Sequence, residues 1–161
     1  MSDLRVGWGF DAHRFGGSPP LVLGGVVASD AVGVEATSDG DVAAHAIIDA
    51  ILGGAAIGDL GSFFPSSDPQ WHGADSFQLL DIALRESQAV GWVVDFVDVT
   101  VISETVRVAP IRDVMRSRLS NALGIGPDAV SVKATTTDRL GFIGAGEGLA
   151  AVASVTLVRS P

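Results

Sequence analysis

The stretch Asp41–Leu52, reading DVAAHAIIDAIL, constrains the fold more than any other. At about 100° per residue, Val42, Ala43, Ala46, Ile47, Ala50 and Ile51 cover one broad side of a helix, and Ile48 and Leu52 spill onto the other. A helix that is apolar nearly all the way round is buried. Three ionisable residues interrupt it, Asp41, His45 and Asp49, spaced so that they form one narrow stripe. Burying them is unfavourable unless each finds a partner. A metal ion is one such partner for His45. The alternative is a hydrogen-bonded core histidine, with Asp41 and Asp49 capping or facing water. Ser38 and Asp39 are good N-cap residues and Gly40 lets the backbone turn, so the helix is expected to start from this polar run.

The rest of the chain supplies what must cover that helix. Arg5–Phe10 reads as a strand leading into Asp11-Ala12-His13, and in extended backbone Asp11 and His13 point to one face. Two short strands within 20–27 fold about Gly24-Gly25. Residues 61–74, rich in Ser, Pro and Gly, read as a long mobile loop that contains His72. Helices are expected over Asp75–Val90 and from about Pro110 to Leu123, with Gly91 and Gly124 as stops. Strands are expected over Phe96–Ile102, Val130–Thr136 and Ala151–Val158, with a glycine-rich turn over 141–148. This order is not a strict β–α alternation. It predicts a single α+β domain over 1–161, a mixed sheet with helices packed on one face.

Charged residues make up 18% of the chain and hydrophobic ones 47%, against roughly 25% charged in typical soluble domains. The shortage of charge suggests that part of the surface meets another subunit. A net charge of −9 argues against nucleic acid or an anionic membrane as a partner. It leaves room for an anionic small substrate if metal ions and local Arg or Lys neutralise it. With no cysteine, any metal site must use nitrogen and oxygen ligands. Met1–Arg5 lacks a basic region followed by an apolar run, and no stretch spans a membrane comfortably, so a cytoplasmic protein is expected.

Asp11, His13 and His45 make a candidate His₂Asp set, the three-ligand pattern of a catalytic zinc with one open position. Separately, Thr135-Thr136-Thr137-Asp138 ends a strand with hydroxyls and a carboxylate, suited to phosphate oxygens and a hard Mg²⁺.

Gly9-Phe10-Asp11-Ala12-His13-Arg14-Phe15, Ser38-Asp39-Gly40-Asp41 with His45, Gly58-Asp59-Leu60-Gly61 with Phe64-Pro65, Gly73-Ala74-Asp75-Ser76, and Lys133-Ala134-Thr135-Thr136-Thr137-Asp138 with Leu140-Gly141-Phe142 and Gly146-Glu147-Gly148 follow one another in order. Together they closely resemble the 2-C-methyl-D-erythritol 2,4-cyclodiphosphate synthase family of the non-mevalonate isoprenoid pathway, over essentially the whole chain. The resemblance implies a homotrimer of α+β subunits with active sites at the interfaces. It implies Zn²⁺ on Asp11, His13 and His45, and a second ion, Mg²⁺ or Mn²⁺, on Asp138, where the family commonly has Glu. Asp59 matches the residue that holds the methylerythritol hydroxyls. Thr135 and Thr136 match contacts to the cytidine diphosphate. Phe64–Gly73 matches a flap over the sugar-phosphate pocket, and Ser103–Pro110 with Ala134 matches the cytosine pocket of the neighbouring subunit. Ser38, Asp39, Gly61, Asp68 and Phe142 complete the substrate-binding set carried over from the family. The implied reaction is attack of the substrate's 2-phosphate on the β-phosphorus of its own cytidine diphosphate, with release of CMP.

Five positions depart from the family pattern. Thr37 replaces a usual histidine, Ser66 a frequent Asp, Val106-Arg107 a Pro-Lys pair, and Ala145 the Arg that lines the trimer's central cavity, where isoprenoid diphosphates bind. The first four bear on substrate affinity and the last on that axial ligand. Thr37, Val106 and Arg107 motivate a second reading, a relative acting on another nucleoside diphosphate ester; a third is a non-catalytic trimer that binds zinc or a nucleotide, which the intact Asp11, His13, His45 and Asp138 set disfavours.

Overall fold

The computed structural model describes residues 3–160; Met1, Ser2 and Pro161, the ends of the expected domain, lie outside the described residues. Four strands form one mixed sheet in the order β1-β6-β4-β5. They are β1 (Leu4–Arg14), β4 (Trp92–Ile102), β5 (Val130–Thr135) and β6 (Gly148–Arg159). β6 runs antiparallel to both β1 and β4, and β5 is parallel to β4. A hairpin of β2 (Leu21–Leu23) and β3 (Val26–Ser29) turns on Gly24-Gly25, both at positive φ, as expected. Three long helices, α1 (Val42–Ala55), α3 (Ser76–Ala89) and α4 (Arg112–Leu123), cover one face. The α+β reading holds.

Helix α1 is the centre of the core. Nearly all its residues are buried, with Ile47, Ile48, Ile51 and Leu52 wholly so. It lies directly on β1 because that strand carries glycine where the two backbones meet. A Cβ on Gly7 would stand 1.8 Å from the Ala50 carbonyl oxygen, and one on Gly9 2.1 Å from that of Ala46. Every second strand residue advances about 6.6 Å and every fourth helix residue about 6.0 Å. Over this contact the two repeats mesh: Gly7 meets Ala50 and Gly9 meets Ala46, and Asp11, next on the same strand face, lies past Ala46 toward the start of the helix, where the His45 side chain reaches it.

The polar stripe on α1 is partnered throughout. Asp41, not Ser38 or Asp39, is the N-cap. Its buried carboxylate accepts from the amides of Ala43 and Ala44 and, across the core, from Gly24 and Gly25 at 2.9 and 2.8 Å. Burial pushes this carboxyl up and the backbone donors pull it back. Asp49 accepts from the Leu60 amide at 3.1 Å. Since Asp41 ties the hairpin to the start of α1, Asp41→Ala should leave four buried N–H groups to find water. The expected loss is about 2–3 kcal/mol, a fall in Tm of about 5–10 °C. A calorimetric melt with an unchanged Tm would remove this clamp role.

Four expectations need correction. Residues 61–74 are not an unstructured loop: a short helix α2 (Leu60–Phe63), capped by Asp59, and a 3₁₀ turn (Pro69–Trp71), capped by Asp68, lie there. Phe64 and Trp71 meet edge to face at 5.0 Å and anchor this segment on the core. Strand β4 starts at Trp92 rather than Phe96, because a bulge at Asp95 breaks the alternation between Val94 and Val97. Strand β1 runs past Phe10 to Arg14, so Asp11 and His13 sit within it. The glycine-rich turn holds one helical turn, α5 (Gly141–Gly144).

Among the described residues, the other face of the sheet carries no helix. On β1 it shows Val6, Trp8 and Phe10 at 68%, 61% and 47% exposure, with Phe96 on the same face of β4, across β6 from Val6. Among the described residues, no helix is long and apolar enough to cross a membrane.

Candidate metal and nucleotide site

Asp11 and His13 leave β1 on the helix face, and the meshing of α1 brings His45 onto them. Asp11 Oδ2, His13 Nε2 and His45 Nδ1 lie 3.0, 2.9 and 3.3 Å from one another. The edge of a tetrahedron with bonds of 2.0–2.1 Å is about 3.3 Å, so the three atoms form one face of a zinc-sized site. Burial pushes the Asp11 carboxyl up, but the hydrogen bonds and charges of His13 and His45 outweigh it and lower it to about 2. It is a carboxylate across the working pH range.

The far side of His45 is fixed as well. Its Nε2 faces the hydroxyls of Ser76 at 2.9 Å and Ser38 at 3.1 Å. The Ser76 hydroxyl in turn donates to Asp39, which also accepts from the Ser76 amide at 3.0 Å. With the hydroxyl proton committed to Asp39, Ser76 accepts from His45 Nε2–H. That tautomer leaves the Nδ1 lone pair facing Asp11 and His13. Ser76 is the functional residue that sequence reasoning missed. Its motif was visible, but its partner is reached only because the start of α3 abuts α1.

Beside the triad lies a cavity of about 220 Å³, lined by Asp11, His13, Thr37, Ser38, His45, Gly61, Ser66 and Trp71 among others. Asp59 and Asp68 are not among its lining residues; both are spent in part on caps, accepting from the amides of Ser62 and Gln70. A second cavity, about 360 Å³, is lined by 103–109 with Arg112, Ala134, Thr135 and Thr136. It contains Ser103 and the departures Val106 and Arg107. Phe142 lies on neither: with Arg14 and Glu147 it lines a third hollow that touches His13. Asp138 and Arg139 are both at positive φ in the turn after β5.

The first two of these cavities stand apart. Asp11 pairs with Ala151, Ala151 with Val101, and Val101 with Ala134. Three strand spacings, about 14 Å, separate Asp11 from Ala134. Ala151 and Val101 are fully buried under the helices, so no groove joins the two along this row.

The donor set (two imidazoles and a carboxylate, mutually within ligand distance) is a potential metal triad. Known proteins match nearly the whole chain. A curated 2-C-methyl-D-erythritol 2,4-cyclodiphosphate synthase from Cronobacter sakazakii is 49% identical over 98% of this chain and 99% of the relative. Among solved structures, the bifunctional IspDF from Campylobacter jejuni matches with TM-score 0.94 and 38% identity over 98% of this chain, which spans 42% of that longer protein. A CDP complex of IspF from Plasmodium falciparum matches with TM-score 0.84 and 30% identity over 98% of this chain and 97% of that one. The YgbB family model covers residues 4–158, and the chain belongs to the YgbB family, the fold and triad being those its sequence implied.

Proposed function

We propose that this chain is a 2-C-methyl-D-erythritol 2,4-cyclodiphosphate synthase. It cyclises 4-diphosphocytidyl-2-C-methyl-D-erythritol 2-phosphate with loss of CMP, acting as a lyase in non-mevalonate isoprenoid biosynthesis. One observation carries the reading: three ligand atoms converge beside a cavity in a chain whose full-length relatives are named for that product. The cytoplasm is the compartment this reading assigns to it.

The reaction forms one P–O bond, from the 2-phosphate oxygen to the β-phosphorus, and breaks the P–O bond to CMP. No protein nucleophile is needed. Asp11, His13 and His45 would hold Zn²⁺, and Asp138 would help to hold Mg²⁺ or Mn²⁺. Bound there, the ions supply charge neutralisation and Lewis-acid polarisation of phosphate oxygens. The chain itself orients the two repelling phosphates, and orientation is worth up to roughly 7–11 kcal/mol in favourable cases. Thr136 Oγ1 accepts from the Asp138 amide at 3.2 Å, which leaves its proton for a phosphate oxygen. The second carboxylate oxygen of Asp59 is open to a sugar hydroxyl, since Oδ1 is held by Ser62. Ser103 and Ala134 line the base cavity.

Incubation with the diphosphocytidyl substrate should yield the cyclic diphosphate and CMP. A linear product carrying oxygen from labelled water would overturn the cyclase assignment. Asp138→Asn keeps a side chain that tolerates positive φ and should raise the Mg²⁺ or Mn²⁺ concentration needed for half-maximal rate by about tenfold or more. Zinc content should stay at one per chain. Unchanged metal dependence would remove Asp138 from the site.

The proposed assembly is a homotrimer, its bare sheet faces turned to one another and the triad of each subunit meeting the base cavity of the next. The exposed Val6, Trp8 and Phe10 and the separation of the two cavities within one chain support it. It predicts complementation. His45→Ala, lacking a ligand, and Ala134→Trp, with the base cavity filled, should each be inactive. Co-refolded trimers should regain part of the activity, because some interfaces pair two intact halves. Mixed trimers verified by mass that stay inactive would show that each site belongs to one chain.

A further inference from the structure

The turn that carries Asp138 holds an unfavourable conformation. Asp138 and Arg139 are consecutive non-glycine residues at φ of 54° and 66°, where a Cβ crowds the backbone. Asp tolerates this region through its short polar side chain; Arg has no such compensation. Something outside the turn must hold it. The amides of Thr137 and Arg139 both donate to one atom, Oε1 of Glu104, at 3.0 and 3.1 Å. The Thr137 hydroxyl lies between that oxygen, at 3.2 Å, and the Leu140 carbonyl, at 2.7 Å. These donors, the Arg139 amide foremost, hold the Glu104 carboxyl below its usual range, so it accepts as a carboxylate. Glu104 also belongs to the loop that lines the base cavity. Its neighbour Ser103 is bonded to β5 through the Thr135 carbonyl at 3.1 Å and closes its own loop on the Val106 amide at 3.0 Å.

We propose that Glu104 is a positioning residue, which locks the Thr137–Arg139 turn in the conformation that presents Asp138 to the second metal ion. This rests on the reading of Asp138 as a ligand of that ion. A partner that orients a ligand from outside the coordination shell typically changes metal affinity about 10- to 100-fold when it is removed.

The test uses zinc-loaded protein with CDP, and reads free Mn²⁺ by electron paramagnetic resonance and amide exchange by NMR. Glu104→Ala should weaken Mn²⁺ binding about 10- to 100-fold and speed exchange at Thr137 and Arg139, with zinc content unchanged. Its kcat should fall at limiting Mn²⁺ and recover at excess. Glu104→Gln should restore most of the Mn²⁺ affinity, because the amide Oε1 still accepts both N–H groups, whereas Glu104→Met, of similar bulk but with no oxygen acceptor, should behave like Glu104→Ala. If Asp138→Asn weakens Mn²⁺ binding and Glu104→Ala does not, the positioning role is overturned and the metal reading stands. If neither substitution affects Mn²⁺, the metal reading is overturned and the positioning role falls with it.

Discussion

A Gly9→Val chain should lose both stability and metal. The added Cβ would stand 2.1 Å from the Ala46 carbonyl oxygen and 2.7 Å from the Ala50 amide nitrogen, both helix backbone and neither able to rotate away. Helix α1 must lift off β1, in a core with almost no free volume. Overpacking of this kind costs about 1–3 kcal/mol, and more where backbone is the obstacle. The Tm should therefore fall by roughly 5–10 °C or more. The same shift carries His45 away from Asp11 and His13, and a metal site tolerates only about 0.2 Å in its bond lengths. Zinc retention should drop with stability. Gly53→Ala is the control: it sits in the same helix with nothing within 4 Å of the new Cβ. It should stabilise by about 0.5–1 kcal/mol. Wild-type melting and zinc content in Gly9→Val would refute the meshed contact.

His45→Ala should abolish turnover for a different reason. It removes one of three ligand atoms that lie within 3.3 Å of one another. The remaining pair cannot retain an ion against dilution. A Lewis acid contributes several kcal/mol to a phosphoryl transition state, and each 1.36 kcal/mol is tenfold in rate. A loss of about 10³ or more in kcat is expected. The fold and assembly should persist, since α1 keeps its Asp41 cap and its contacts with β1. Metal analysis of the dialysed protein checks this, and full zinc content in the variant would sink the ligand assignment.

Some of this was legible in the residues and some was not. The burial of α1 could be read because so few of its positions are polar. The triad could be read because Asp11 and His13 share a strand face and His45 stands out on an apolar helix. Capping was one reading of Asp41, but its tie to the hairpin could not be read, since two of its four donors are distant in sequence. Helix α2 and the turn at Pro69–Trp71 are too short for any period to show, and the only local signals are their single N-cap residues, Asp59 and Asp68. The first residues of β4 were lost because the Asp95 bulge shifts the alternation by one. Gly7 and Gly9 look like weak points in a strand until a helix is laid on them, whereupon they become the reason it fits.

The meshing of β1 with α1 works as a vernier. Two steps of one scale nearly equal four of the other, and the difference, about 0.6 Å per interval, accumulates. Over the one interval from Gly7–Ala50 to Gly9–Ala46 it is small enough to absorb, and the His45 side chain makes up the remaining distance to Asp11, since His45 stands one residue beyond Ala46 while Asp11 stands two beyond Gly9. A metal site many intervals further along would fall out of register. The same scale restricts length change in this family. One residue inserted into β1 before Asp11 would turn the triad's carboxylate and His13 to the bare face of the sheet. Two would slide them one notch past His45. Only two residues in the strand matched by four in the helix would restore the alignment, so insertions and deletions should be confined to the connections, leaving the Gly7–His13 and His45–Gly54 spacings fixed.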